Sequence, residues 1–110
     1  MTRTATGLYI EEIELGTGKT ATAGDVATVT YTGQLSNAAT FDAGTFSFTL
    51  GSEGVIPGFD EGVTGMRVGG TRRVVIPPEL GYGNSGSGSI PPGSILIFRI
   101  HLDALDLNLF

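Results

Sequence analysis

Cysteine is absent from the 110 residues, so the chain can form no disulfide framework, offers no thiol nucleophile and has no thiolate to hold zinc. Cations are scarce as well. Six Lys and Arg stand against eleven Asp and Glu, giving a formal net charge of -5. Nucleic-acid backbones are held by clustered Lys and Arg, and these six are scattered apart from Arg72-Arg73, whose side chains point to opposite faces if they lie in a strand. Nucleic acid is therefore excluded as a partner. The segment from Met1 to Gly7 lacks the roughly 7–15-residue apolar core of a signal peptide, and the longest later apolar run, Ile95 to Phe98, is broken by Arg99. No membrane association is expected, and the cytoplasm is the expected location.

Glycine and proline are abundant instead. With 18 Gly and 5 Pro, the chain has the punctuation of many short strands joined by tight turns, and its 40% hydrophobic content suits one globular domain over residues 1–110. Residues 8–15 read as a first strand. Val26 to Thr32 alternates, with Ala27, Val29 and Tyr31 on one face; Phe46, Phe48 and Leu50 alternate with Ser47 and Thr49. Arg72 to Ile76 is a further strand, ended by Pro77-Pro78. In the last one, Leu96, Phe98, Ile100 and Leu102 share a face opposite Arg99, His101 and Asp103. Between these two lies a loop from Gly81 to Pro92, expected to be mobile.

One short helix is expected. Pro57 suits its first turn, Asp60 and Glu61 fall near its positive end as solvated charges, and Phe59, Val63 and Met66 recur at i, i+4 and i+7. Gly58, Gly62 and Gly65 cost it up to roughly 1 kcal/mol each relative to Ala, so it must be held against something larger.

Several motifs lead nowhere. Gly81 to Gly86 satisfies G-x-G-x-x-G, but a strand and not a helix follows it; Gly16-Thr17-Gly18-Lys19-Thr20 resembles the end of a P-loop but lacks its first glycine. Asp60 and Glu61 diverge by about 100° and cannot face one substrate as an acid/base pair. His101, the single histidine, has neither a nucleophile nor a second metal ligand beside it. What survives is a concentration of aromatics. Tyr31, Phe41, Phe46, Phe59, Tyr82 and Phe98 come from separate elements that must converge near the helix, while Phe48 reads as ordinary core. Tyr82, flanked by glycines, suits the rim of an apolar pocket better than a core.

In order along the chain, Val29-Thr30-Tyr31-Thr32-Gly33, Phe41-Asp42, Phe46-Ser47-Phe48, Val55-Ile56-Pro57-Gly58-Phe59, Gly69-Gly70-Thr71-Arg72-Arg73, Ile76-Pro77-Pro78, Tyr82-Gly83 and Ile90-Pro91-Pro92 closely resemble the FKBP-type peptidyl-prolyl cis-trans isomerases. The resemblance covers about residues 8 to 105. It implies an α+β, mostly β fold: a twisted antiparallel sheet of five or six strands wrapped around one short α-helix. It also implies a proline pocket in which Tyr31, Asp42, Ile56, Tyr82 and Phe98 act on the substrate amide and Phe41, Phe46, Val55, Phe59 and Ile90 bind the substrate. Phe59 would be the floor; the Ile56 amide and Tyr82 hydroxyl would donate to a carbonyl, and Asp42 would hold Tyr31 in place. No metal or cofactor is implied.

The partners implied are X-Pro peptides and unfolded or partly folded proteins, with macrolide inhibitors such as rapamycin, bound by a monomer. The chain departs from many relatives in having Phe59 where they carry Trp, only residues 43–45 between Asp42 and Phe46, and Gly54 where a side chain is common. The seven residues between Tyr82 and Ile90 are too few for an inserted chaperone domain, so a minimal isomerase is expected. The alternative is a non-catalytic module that holds proline segments in the same pocket. A carbohydrate or dinucleotide binder would need polar clusters that are not found.

Overall fold

In the computed structural model, which describes residues 2–52, 54–88 and 90–106, six strands form one antiparallel sheet. They are β1 (Thr2–Arg3), β2 (Tyr9–Glu14), β3 (Val26–Leu35), β4 (Thr40–Thr49), β5 (Thr71–Ile76) and β6 (Leu96–Asp106), in spatial order β1-β2-β5-β6-β3-β4. One α-helix, α1 (Pro57–Val63), and a 3-10 turn, Pro78–Leu80, complete the described elements. The α+β class, mostly β with one short helix, is the class expected. The two-residue β1 and the 3-10 turn are additions, both too short to leave a periodic signal.

Alternation decides which residues make the core. Ala27 and Val29 of β3, and Leu96, Phe98, Ile100 and Leu102 of β6, are buried under the helix side of the sheet, while Thr30 and Arg99 on the other side are exposed. Two bulges adjust this pattern. In β6, Val29 pairs with Leu102 and Thr28 with Ala104, leaving Asp103 as the extra residue. In β4, Gly33 pairs with Asp42 and Gln34 with Thr40, leaving Phe41 as the extra residue. Residues 43–45 form no loop at all, since they pair with Thr32, Tyr31 and Thr30.

The helix is shorter than its apolar spacing suggests. Phe59 and Val63 are buried as expected, but α1 ends at Val63, and Gly65 turns the chain away at φ +90. Met66 therefore reaches the core from beyond the helix, not from its face. Asp60 and Glu61 are also tied down where solvated charges were expected. Asp60 accepts from the Gly51 N–H at 2.9 Å and Glu61 accepts from the Thr6 hydroxyl at 2.5 Å.

The helical glycines have a structural reason. A Cβ on Gly58 would lie 2.5 Å from Ile76 Cγ2, and one on Gly62 would lie 3.0 Å from Val74 Cγ2. Both glycines face β5, so their bareness lets the helix seat directly on that strand. Arg72, from the same strand, secures the other end. Its buried guanidinium pairs with Glu12 and donates to the carbonyls of Gly62 at 3.0 Å and Thr64 at 3.2 Å, groups that a helix end leaves without partners. Arg73 next to it is exposed, as strand alternation requires.

Propensity and packing predict opposite signs for Gly58→Ala. Helix propensity favours Ala by up to roughly 1 kcal/mol, but overpacking against fully buried Ile76 should outweigh it and leave the variant about 1–3 kcal/mol less stable. Gly44→Ala, whose Cβ meets nothing within 4 Å, should stay within about 0.5 kcal/mol of the parent. Urea denaturation of the two variants checks this, and an unchanged midpoint for Gly58→Ala would contradict the tight seat.

Candidate functional site

Five elements carry rings to one place. In β3, alternation aims Tyr31 to the helix side; in β6 it does the same for Phe98, and in β4 for Phe46. The β4 bulge lets two consecutive residues serve this side: Phe41 packs edge-on against Phe98 with centroids 5.6 Å apart, and Asp42 reaches Tyr31. Gly33 makes room for the first contact, since a Cβ there would lie 2.8 Å from both the Phe41 and Phe98 rings. Phe59 comes from α1 and Tyr82 from the loop after the 3-10 turn.

Phe59 is the hub. Its ring lies 5.1 Å from Phe98, 5.6 Å from Tyr31, and 5.7 Å from both Phe46 and Phe48, mostly edge to face. Such pairs add about 0.5–1.5 kcal/mol each beyond the area they bury, so the cluster is stiff as well as apolar. Phe59 is only 3% exposed and forms the base of a hollow of about 220 Å³. Among the described residues, Tyr31, Asp42, Phe46, Gly54, Val55, Ile56, Tyr82 and Phe98 also line it. Phe48 lies behind, buried and stacked on Phe46, which agrees with its reading as core.

Most of the expected pocket residues are thus brought together, but two stand apart from the lining. Phe41, half-buried, packs edge-on against the lining ring of Phe98. Ile90 is 7% exposed and joins the core, and its backbone exchanges two hydrogen bonds with Ser87. Gly54 lines the hollow without a side chain, so residue type alone gave no positive sign of it. The loop from Gly81 is organised by its backbone. Gly83 donates to Pro78, Gly86 to Tyr82, and Gly93 back to Gly83, which fixes the base on which Tyr82 stands.

Polar groups in the hollow are few. The Tyr31 hydroxyl donates to Asp42 Oδ2 at 2.6 Å, and Asp42 Oδ1 accepts from the Ala43 N–H at 2.9 Å. Burial pushes the Tyr31 phenol up from 10.0 to about 12, and the hydrogen bond to Asp42, the Asp42 charge and Tyr82 push in the same direction. Tyr31 is therefore neutral and its proton committed to Asp42. The Tyr82 hydroxyl and the Ile56 amide make no hydrogen bond among the described residues, so two donors stand unused at the hollow. Beyond Val55 lies a second hollow of about 410 Å³, lined by Gly51, Pro57, Asp60 and Glu61 as well. No imidazole lines either one.

Comparison with known proteins covers the same ground. The chain is 46% identical over 102 residues to an FK506-binding protein of Neisseria meningitidis, an alignment that spans 87% of this chain and 94% of that protein. It is 47% identical over 103 residues to FK506-binding protein 3 of Candida albicans, spanning 90% of this chain but only 24% of that longer protein. Among solved structures, FkpA from Escherichia coli superposes with a TM-score of 0.88 at 37% identity, over 96% of this chain and 51% of FkpA. The FKBP-type peptidyl-prolyl cis-trans isomerase profile matches residues 17–103, a stretch that contains every residue lining the aromatic hollow, and with these relatives it makes the chain a member of that family.

Proposed function

We propose that this chain accelerates rotation about X-Pro bonds in peptides and in unfolded or partly folded proteins, using the hollow above Phe59. The observation that carries this reading is the pairing of an apolar aromatic floor with two unused donors, the Ile56 amide and the Tyr82 hydroxyl. An X-Pro amide resists rotation because resonance gives its C–N bond double-bond character, with a barrier of about 18–20 kcal/mol. The planar form is also the more dipolar one, and an apolar hollow solvates it poorly. A proline ring on Phe59 would leave its amide between Tyr31, Phe98 and Tyr82, where fixed donors and ring edges favour the twisted carbonyl over the flat one. A thousandfold acceleration needs only about 4 kcal/mol of this preference.

Asp42 acts through Tyr31 in this scheme. By accepting a hydrogen bond from the phenol it holds the ring in place as a wall. The 220 Å³ hollow is below the roughly 300–1,000 Å³ of sites for drug-sized ligands, so a macrolide such as rapamycin would have to spread over the adjoining hollow beyond Val55. A module that merely holds proline segments would use the same walls, and an isomerisation assay separates the two.

With no proton transferred, kcat/KM on an X-Pro peptide should be nearly flat from about pH 6 to 8, and a bell-shaped profile would contradict the mechanism. Phe59→Ala should abolish most activity by removing the floor, whereas Tyr82→Phe should cost about 1 kcal/mol, roughly fivefold. A proline-limited refolding assay on both variants, with circular dichroism to confirm folding, checks the order. Equal losses would mean that Phe59 is not the floor. Tight binding of a proline peptide by the parent chain without acceleration would favour the holding module.

The phenol provides a separate check on the wall. Tyr31 keeps its proton up to about pH 12 in the folded chain while the unfolded chain loses it near 10.0, so this stabilisation is whole below pH 10 and is lost as pH rises through 12. Asp42→Asn should lower the Tyr31 pKa while leaving it above 10, because burial, the largest cause, remains. Phenolate absorbance titration, read against Tyr31→Phe, measures this.

A further inference from the structure

The outer face of the sheet, turned away from the aromatic hollow, carries a charge arrangement that proline binding does not use. Alternation places Thr32 and Gln34 of β3 and Ile97, Arg99 and His101 of β6 on that face. The strand register sets Arg73 of β5 directly opposite Arg99, and both are exposed. Like charges in directly opposed positions destabilise a strand pair, yet a chain of net charge -5 commits two of its six basic residues to this one.

Neither charge is well compensated. Arg73 Nη1 is 3.6 Å from Glu11 Oε1, with both side chains almost half exposed, and such pairs contribute little. Arg99 makes no hydrogen bond or ion pair among the described residues. The surface around it is also shaped. Thr32, Gln34, Arg73, Ile97 and Arg99 line a hollow of about 250 Å³, and a second of about 170 Å³ reaches to His101 and shares Thr32 and Arg99 with the first.

We propose that these joined hollows are a docking groove for an extended acidic peptide segment, whose carboxylates seat on Arg73 and Arg99. Guanidinium forks match carboxylates with two parallel hydrogen bonds, and an anion between the two arginines removes the repulsion that the register imposes. Length argues for a peptide over a single ion. From Ile97 to His101 the groove follows β6 for about 13 Å, the span of about four extended residues. Beyond His101 the surface turns acidic, since Asp103 Oδ1 is 3.6 Å from His101 Nε2 and Asp103 Oδ2 accepts from the Thr30 hydroxyl at 2.5 Å.

The hollow between Arg73 and Arg99 shares no lining residue with the proline hollow, and Arg99 and Phe98 point to opposite faces of β6, so one does not block the other; the second outer hollow meets the proline hollow only at Tyr31. An acidic segment held on the outer face would keep the same client's prolines at high effective concentration. That consequence rests on the isomerase reading, but the groove itself does not.

The test is an NMR titration of the isotope-labelled chain with a capped oligoglutamate peptide about five residues long, at constant ionic strength, observing backbone amides and arginine Nε–H signals. Saturable shifts at Arg73, Arg99, Thr32 and Gln34 are expected, with pocket signals unmoved. Arg99→Gln should weaken binding at least about tenfold while isomerase activity on a short peptide stays unchanged, which also shows that the variant folds. Should that variant not fold, Arg73→Gln and the salt dependence of the parent decide, with a dissociation constant rising severalfold between about 50 and 200 mM salt in support. Equal shifts with an oligoglutamine peptide, binding that ignores salt, or an unchanged titration of folded Arg99→Gln would overturn the proposal. So would inorganic phosphate binding as tightly as the peptide, which would mark a single-anion site.

Discussion

The distance at which the helix rides above β5 decides whether the rings around Phe59 meet as a hollow or drift apart. That distance is set by two missing side chains. With only hydrogens on Gly58 and Gly62, the helix backbone settles against Ile76 and Val74, and Phe59 descends far enough to touch Tyr31, Phe46, Phe48 and Phe98 together. Helix propensity is sacrificed for this approach. The loss is tolerable because a seven-residue helix is held by tertiary packing in any case, and because Arg72 caps its far end with hydrogen bonds from β5.

From that seat follows the character of the site. Edge-to-face contacts stiffen the walls, and among the described residues the Tyr31–Asp42 hydrogen bond uses the one carboxylate of the lining for orientation and leaves two unpaired donors, the Ile56 amide and the Tyr82 hydroxyl. This is a poor environment for proton transfer and a good one for removing water from a planar amide. The proposed mechanism therefore draws on the shape and aromatic walls of the hollow, in keeping with membership of a family of peptidyl-prolyl cis-trans isomerases. Opposite this face, the same two-residue alternation that buries Phe98 exposes Arg99, so β6 contributes one surface to each side.

Much of this was legible along the chain because period-2 alternation and helix periodicity are local properties. The strand faces of β3, β5 and β6, the divergence of Arg72 from Arg73, and the placement of Pro57 at the helix start all follow from positions a few residues apart. The ordered family motifs then identified Tyr31, Asp42, Phe46, Val55, Ile56, Phe59, Tyr82 and Phe98, and the fold gathers all of them at one hollow. Phe41 and Ile90 were named on the same grounds; the fold packs Phe41 edge-on against Phe98 and buries Ile90 in the core.

Composition and pattern by themselves determined the mostly β content, the single short helix and the apolar, aromatic nature of the site, because each depends on which residue types recur at which short interval, whereas the antiparallel arrangement of the sheet was implied by the family resemblance. Tertiary structure alone decided how deep Phe59 sits, where the helix stops short of Met66, why Asp60 and Glu61 are tied down, and that Arg73 faces Arg99. Those outcomes depend on approach distances and strand register between segments tens of residues apart, and no local interval in the chain encodes them.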